Sequence, residues 1–191
     1  MLAVESLKEH LKPGQVYRRS DLERWSKSVD RHLAALLKEG FLRKANQGLY
    51  YVPEQTVFGK APPDDNFLVR RFLNDHRYLM FSPNLYNGLG LGLTQLRNLT
   101  VVYNHKRHGE FSLNGKVFDF RLKPRFPSTL TKEFLLVDLV NNLDSVGEDR
   151  EMLLKKVKQK AMSMDQKRLK RSLKQYAHVS TSKFFQEFLD V

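Results

Sequence analysis

The sequence predicts an α+β chain: an N-terminal winged helix-turn-helix, then a C-terminal α+β domain with a small antiparallel sheet followed by a helical region. Three observations carry this. Residues Val16 to Val52 place short helical patterns ahead of two strand-like segments, the segment from Pro53 to Asp65 turns to proline, glycine and acids, and strand signals cease after Leu122. The expected division is therefore 1–53, a semi-extended linker at 54–65, and 66–191.

The first domain opens with an amphipathic helix over Leu2 to Leu11, ended by Pro13-Gly14, after which Val16-Tyr17 can pair with later strands. Ser20 ahead of Asp21-Leu22-Glu23 has the spacing of a capping box, with acids at the positive helix end. Leu22 and Trp25 supply that short helix's buried side, and Ser26-Lys27-Ser28 interrupts the apolar period as a turn does. In the second helix Val29, Leu33, Leu36 and Leu37 recur at helical spacing, leaving Lys27, Ser28, Asp30, Arg31 and Lys38 opposite, and Gly40 ends it. Phe41 to Lys44 and Leu49 to Val52 have strand composition and are joined by Ala45-Asn46-Gln47-Gly48, a turn sequence that tolerates positive dihedrals.

In the second domain, Phe67, Leu68, Phe72 and Leu73 form a helical stripe, Tyr78 to Phe81 is a short strand, and Ser82-Pro83 is a helix start. Leu99 to Tyr103, Glu110 to Leu113 and Lys116 to Leu122 read as strands, the last two joined by the strong hairpin signal Asn114-Gly115. Helices are expected from Thr129 or Thr131 to Leu143, from Asp149 to Ala161, from Asp165 to Tyr176, and from a Ser180 or Ser182 cap onward.

With 191 residues, 41% hydrophobic content and no cysteine, the chain can bury packed cores and has neither disulfides nor thiolate metal ligands. Met1 to Leu11 carries Glu5, Lys8, Glu9 and His10, so no secretory core is expected there, and no run has the length of a membrane span. A cytoplasmic location without membrane partners is the resulting expectation. The net charge of +12 favours a polyanionic partner, and it is unevenly spread: eleven basic against nine acidic residues precede Asn66, twenty-two against twelve follow from it. Any DNA binding by the first domain therefore rests on where its charges sit.

Those charges sit at element ends and on expected exposed faces. Arg18, Arg19, Lys27, Arg31, Arg43 and Lys44 are each placed to neutralise a duplex phosphate. Arg31, early in the second helix, suits the two acceptors of guanine, with Ser28 beside it, while Lys44 and Gln47 at the wing suit the backbone. Asp30 has two readings, an acceptor for a cytosine amino group or a helix-start charge. The bland alternative for the whole unit is a helical subdomain whose hairpin only packs.

Two later helices are strongly basic, with Lys155, Lys156, Lys167, Arg168, Lys170 and Arg171 among their charges. They read either as a solvated face or as a surface for nucleic acid or an acidic partner. Catalytic signals are weak and no enzyme is expected. Gly88-Leu89-Gly90-Leu91-Gly92 lacks the context of a dinucleotide site and reads as a loop. The six histidines lack ligand spacing, so neither metal nor cofactor is expected. Glu110, Asp119 and Lys123 are the only candidates for a metal-dependent nuclease.

The segments Arg19-Ser20-Asp21-Leu22, Ser28-Val29-Asp30-Arg31-His32-Leu33, and Gly40-Phe41-Leu42-Arg43-Lys44 with Gly48-Leu49-Tyr50-Tyr51-Val52-Pro53 resemble the winged helix of AbiEi-like antitoxins. These belong to abortive-infection (AbiE-type, type IV) toxin-antitoxin systems, where they partner nucleotidyltransferase-type toxins. Phe81-Ser82-Pro83-Asn84-Leu85-Tyr86-Asn87-Gly88-Leu89 with Thr94-Gln95 is similar to the family's Ser-Ala-Leu-x-x-His-Gly-Leu-Thr-x-Gln stretch, with Asn87 where that pattern has histidine and Gly90-Leu91-Gly92 inserted. The resemblance covers about two-thirds of the chain and stops short of Asp149. It implies a repressor of its own operon that binds promoter DNA with Ser28 and Arg31 in the groove and Lys44 with Gln47 at the wing. It also implies a C-terminal domain that antagonises a toxin, a functional partner whose direct contact is left open. Other classes are a stand-alone winged-helix regulator with a ligand-sensing or oligomerisation domain, and the nuclease above.

Overall fold

The elements are α1 (Leu2–Glu9), β1 (Val16–Arg18), α2 (Arg19–Leu22), α3 (Val29–Lys38), β2 (Arg43–Asn46), β3 (Leu49–Tyr51), β4 (Glu54–Thr56), β5 (Gly59–Ala61), α4 (Asp65–Leu73), β6 (Tyr78–Phe81), β7 (Thr100–Asn104), β8 (Gly109–Leu113), β9 (Lys116–Leu122), α5 (Lys132–Asn141), α6 (Arg150–Met162), α7 (Gln166–Tyr176) and α8 (Val179–Gln186). The computed structural model describes residues 2–94, 96 and 98–189; Gln95, part of the resemblance above, lies outside them. Mixed helices and small antiparallel sheets make the chain α+β. Its contacts group into two units, Met1–Tyr78 with Lys106–Phe120, and Leu79–His105 with Arg121–Val191.

In the first unit β1, β3 and β2 form an antiparallel sheet in that order, with Val16 opposite Tyr51 and Lys44 opposite Tyr50. Val29, Leu33 and Leu36 of α3 point inward onto Leu7, Leu11, Leu22 and Leu42. The apolar spacing that predicts this helix is thus the spacing of its buried stripe. The helix ends at Lys38, two residues before Gly40 takes a left-handed φ of 69°.

Two local expectations shift. The capping box expected at Ser20 and Glu23 lies two residues earlier: Asp21 accepts from the Arg18 N–H at 2.9 Å and α2 begins at Arg19. Glu23 instead pairs with Arg19, which leaves Asp21 as the acid available to the helix start. The expected linker 54–65 contains an antiparallel pair, β4 with β5. Thr56 closes its turn, its hydroxyl accepting from the Phe58 N–H at 3.2 Å and donating to the Gly59 carbonyl at 2.8 Å.

The first unit also holds more than residues 1–53. Helix α4, capped by the Asp64 carboxylate on the Asn66 N–H, buries Leu68, Val69, Phe72 and Leu73. Its Arg71 donates to the Val16 carbonyl and to Asp21, both at 2.9 Å. The β8 and β9 residues up to Phe120 form a hairpin in this unit, with Phe111 and Phe120 at 5.1 and 5.2 Å from Phe72. The hairpin's turn bonds to the β2 and β3 hairpin: Asn114 N–H donates to the Ala45 carbonyl at 2.8 Å and Tyr51 OH donates to Asn114 Oδ1 at 3.0 Å. Asn46 Nδ2 adds a bond to the Ser112 carbonyl at 2.6 Å.

Asn114 and Gly115 have φ of 51° and 79°, the paired positive dihedrals that their dipeptide signals. Gly115→Ala is expected to lower the stability of this unit by about 1–2 kcal/mol, the cost of a Cβ in a left-handed residue. Urea unfolding followed by the fluorescence of Trp25, the chain's one tryptophan and part of this unit, reads the change. An unshifted midpoint contradicts it.

The second unit is centred on α5, whose Phe134, Leu136, Val137 and Leu139 are almost wholly buried. Around it pack Leu153, Val157 and Ala161 of α6, Leu169 and Leu173 of α7, and Phe185 of α8, with Val101 and Tyr103 of β7 in the same core. The helix starts read from the sequence at Thr131, Asp149 and Asp165 are caps, accepting from the N–H groups of Phe134, Met152 and Arg168. The Ser82-Pro83 start opens a 3-10 helix, Pro83–Leu89, with Ser82 accepting from Asn84. Helix α8 departs from expectation: it begins at Val179, so Ser180 and Ser182 are interior, and its entry is held by the His178 N–H donating to Asn141 Oδ1 at 2.9 Å. Among the described residues no helix is long and apolar enough to cross a membrane.

Candidate nucleic-acid interface

Because α3 turns Val29, Leu33 and Leu36 inward, Lys27, Ser28 and Arg31 stand exposed at its start. Among the described residues neither the Lys27 ammonium nor the Arg31 guanidinium has a hydrogen-bond or ion-pair partner. Ser28 occupies the N-cap position, yet its hydroxyl makes no capping bond. Its N–H donates to Ser26 Oγ at 3.2 Å, and Ser26 is buried against His32, Oγ to Nδ1 2.7 Å. Ser26 therefore holds the turn, and the Ser28 side chain is left on the outside. His32, one turn on from Val29, lies on the buried stripe between Val29 and Leu36, the one sequence signal for a polar partner at Ser26.

Arg19 is differently occupied. Its guanidinium grips Asp30 in a bidentate pair, Nε to Oδ1 2.8 Å and Nη2 to Oδ2 2.7 Å, and also contacts Glu23. The hydrogen bonds it donates to Asp30 and then to Glu23 hold the Arg19 pKa above its ordinary value, and those to Asp30 lower the pKa of that carboxylate. Both carboxylate oxygens of Asp30 thus accept from Arg19, while each keeps a second lone pair on an exposed side chain. The three residues together carry one net negative charge beside Arg31. Asp30→Asn is accordingly expected to tighten non-specific duplex binding and steepen its salt dependence by about one further ion released. Fluorescence anisotropy on a random duplex at two salt concentrations tests this, and weaker binding refutes it.

Of the remaining positions, Arg18 is half-buried, while Arg43, Lys44 and Gln47 are exposed. Lys44 Nζ donates to Gln47 Oε1 at 2.8 Å across the turn, so these two side chains are brought together. With α4 and the hairpin included, this unit has seventeen basic and twelve acidic residues, a larger excess than its first 65 residues have.

In the second unit Lys155, Lys167, Arg168 and Arg171 are exposed on the outer sides of α6 and α7, and Lys156 and Lys170 are half-buried. Arg168 is 3.7 Å from Asp165, and Lys158 lies over the Phe188 ring. Of the nuclease candidates, Glu110 and Asp119 belong to the first unit and Lys123 to the second. Glu110 faces Asp119 across the hairpin, but Lys123 stands over the Tyr103 ring at 5.2 Å, and no group of three metal-ligating side chains occurs among the described residues.

One polar cluster was not legible beforehand. Asp138, 2% exposed inside α5, accepts from Tyr86 OH at 2.6 Å and Tyr103 OH at 2.9 Å. Asn142 donates to Tyr103 OH and to the Asp138 carbonyl, and Arg121 donates to Asn142 Oδ1 at 3.1 Å. Burial raises the Asp138 carboxyl pKa, and burial together with the Asp138 charge raises those of both tyrosines. An acid in the apolar run Phe134 to Val140 was the available signal. Tyr86, Arg121 and Asn142 are among the residues that line a small cleft of about 30 Å³.

No protein-family model, curated protein or solved structure matches this chain.

Proposed function

We propose that the chain is an AbiEi-like antitoxin and transcriptional autorepressor, whose first unit binds its own promoter as a winged helix-turn-helix and whose second antagonises a nucleotidyltransferase-type toxin. The observation that carries the reading is the start of α3, where Lys27 and Ser28 of the preceding turn and Arg31 of the helix are exposed while Val29, Leu33 and Leu36 are locked into the core. An exposed guanidinium above a rigid helix suits the guanine edge in the major groove, and Lys27, Arg43 and the Lys44–Gln47 pair suit phosphates on either side. Arg19 has the supporting role of holding α2 to α3 through Asp30. The wing's inner edge is bonded to the 109–120 hairpin, so the binding unit is the whole first unit. The chain acts without catalysis on this reading, and the exposed cations of α6 and α7 are its surface for extended DNA contact or for the toxin's RNA target.

The experiment uses the full chain. It is expected to retard the DNA upstream of its own coding sequence at low salt, and to restore growth to cells expressing the neighbouring toxin gene. Absence of retardation at low ionic strength removes the repressor half; failed rescue beside a proven toxin removes the other.

A further inference from the structure

A surface cavity of about 300 Å³ lies in the first unit, beside the last turns of α4. One wall is a single face of that helix and its cap, since Phe67, Arg70, Arg71 and Asn74 recur at helical spacing. Gln15, just ahead of β1, and Asp75 with His76, just after α4, complete it. The volume is that of a small-molecule site, and it is several times what a lone phosphate or acetate fills. Phe67 keeps 42% of its surface exposed, so an aromatic ring stands at the edge of a wall that is otherwise polar.

The charges of this wall are unequal in how far they are satisfied. Arg71 is fixed by the Val16 carbonyl through Nε and by Asp21 through Nη2, which leaves its Nη1 without a partner among the described residues. Asp75 accepts from the Arg77 N–H at 3.0 Å and has Arg77 and Lys106 beside it, so it is held ionised, its pKa lowered first by that backbone bond. Arg70 meets no carboxylate among the described residues; its guanidinium reaches only His76, Nη2 to Nε2 3.4 Å, a contact in which a neutral imidazole accepts. Around the cavity Arg70, Arg71, Arg77 and Lys106 thus stand against Asp21 and Asp75 alone, four cations to two acids. The negative end of α4 does not offset them, because the Arg70 carbonyl accepts from the N–H groups of Asn74 and Asp75 and the Asn74 carbonyl from Lys106. A guanidinium fork with no acid, on a wall held rigid by its neighbours, matches an oxyanion in two-point contact.

We propose that this cavity binds a small organic anion, its carboxylate or phosphate on the guanidinium groups of Arg70 and Arg71 and its flat apolar body against the Phe67 ring. Carboxylate and phosphate share the chemistry that the fork recognises, and the volume beyond the fork is what calls for a body larger than either. None of these residues belongs to the α3 surface, so failure here leaves the DNA-binding reading untouched.

Calorimetric titration of the full chain compares benzoate, cinnamate and phenyl phosphate with their uncharged counterparts benzamide, cinnamamide and phenol, and with acetate and inorganic phosphate. At least one of the three aromatic anions is expected to bind about tenfold tighter than its uncharged counterpart, and tighter by a similar factor than acetate and inorganic phosphate. Whether a carboxylate or phenyl phosphate leads identifies the head group. Arg70→Gln should remove the preference for the charged form, while the urea midpoint read by Trp25, in the same unit, stays unchanged. Phe67→Ala should remove the preference for an aromatic body and leave that for charge. The proposal is overturned if none of the three anions binds at millimolar concentration, if charged and uncharged forms bind equally, or if acetate or inorganic phosphate binds as tightly as any of them. It is equally overturned if the Arg70→Gln protein keeps the parent's preference for charge or the Phe67→Ala protein its preference for the ring.

Discussion

Asp138→Ala is expected to destabilise the second unit by about 2–5 kcal/mol at neutral pH. Two buried hydroxyls lose their acceptor at once, those of Tyr86 and Tyr103, and each orphaned group costs about 1–3 kcal/mol. Asn142 keeps its bond to the Asp138 backbone carbonyl, so only its link through Tyr103 OH is disturbed. The same cluster sets a pH dependence whose sign follows from Asp138. Burial, the largest influence, raises its folded pKa above the ordinary value near 3.8, and the tyrosine hydrogen bonds only partly oppose this. Between those two values the folded state holds more protons than the unfolded, so this residue's contribution is greatest below pH 3.8 and declines as pH rises through the folded pKa. Asp138→Asn, which keeps the shape and cannot ionise, should flatten that slope. Trp25 lies in the other unit, so the measurement is urea unfolding followed by tyrosine near-ultraviolet circular dichroism, at pH values spanning the window. An Asp138→Asn profile that tracks the parent's, or an Asp138→Ala protein of parental stability, would contradict this account.

The second large effect concerns recognition. Arg31→Ala should weaken binding to the chain's own promoter by about 1–3 kcal/mol, the discrimination carried by one bidentate contact to guanine, with far less effect on random duplex. Lys27→Ala should weaken both alike and reduce the salt slope by about 0.9. The contrast follows from chemistry, since a guanidinium fork matches two acceptors on a base edge whereas an ammonium is a point charge suited to phosphate. Neither side chain has a structural partner to lose, so neither substitution should move the unfolding midpoint of the first unit. Equal losses on promoter and random DNA for Arg31→Ala would make it a phosphate contact and leave the base reader unassigned.

Much of this was legible in the residues. The inward stripe of α3, the Asn114-Gly115 turn and the caps at Thr131, Asp149 and Asp165 follow from period and local hydrogen bonding, and each depends on neighbours a few positions away. The exposure of Lys27, Ser28 and Arg31 comes from the same source, because a helix that buries one face must present the other. Even the β4 and β5 hairpin is local, closed by Thr56 on Phe58 and Gly59, and the prolines on either side obscured it.

What the order of residues determined by itself was the set of elements, their class, and which face of each is apolar, since these are settled by backbone preference and solvent within a few turns. Only tertiary structure decided which cations remain unengaged: Arg19 reads like Arg31 until Asp30, eleven positions on, closes on it. It also decided that the 109–120 hairpin completes the first unit and that Asp138 meets Tyr86 and Tyr103. Each of these joins residues far apart in the chain, where neither periodicity nor capping chemistry reaches and side-chain pairing is fixed only by the packing of whole elements.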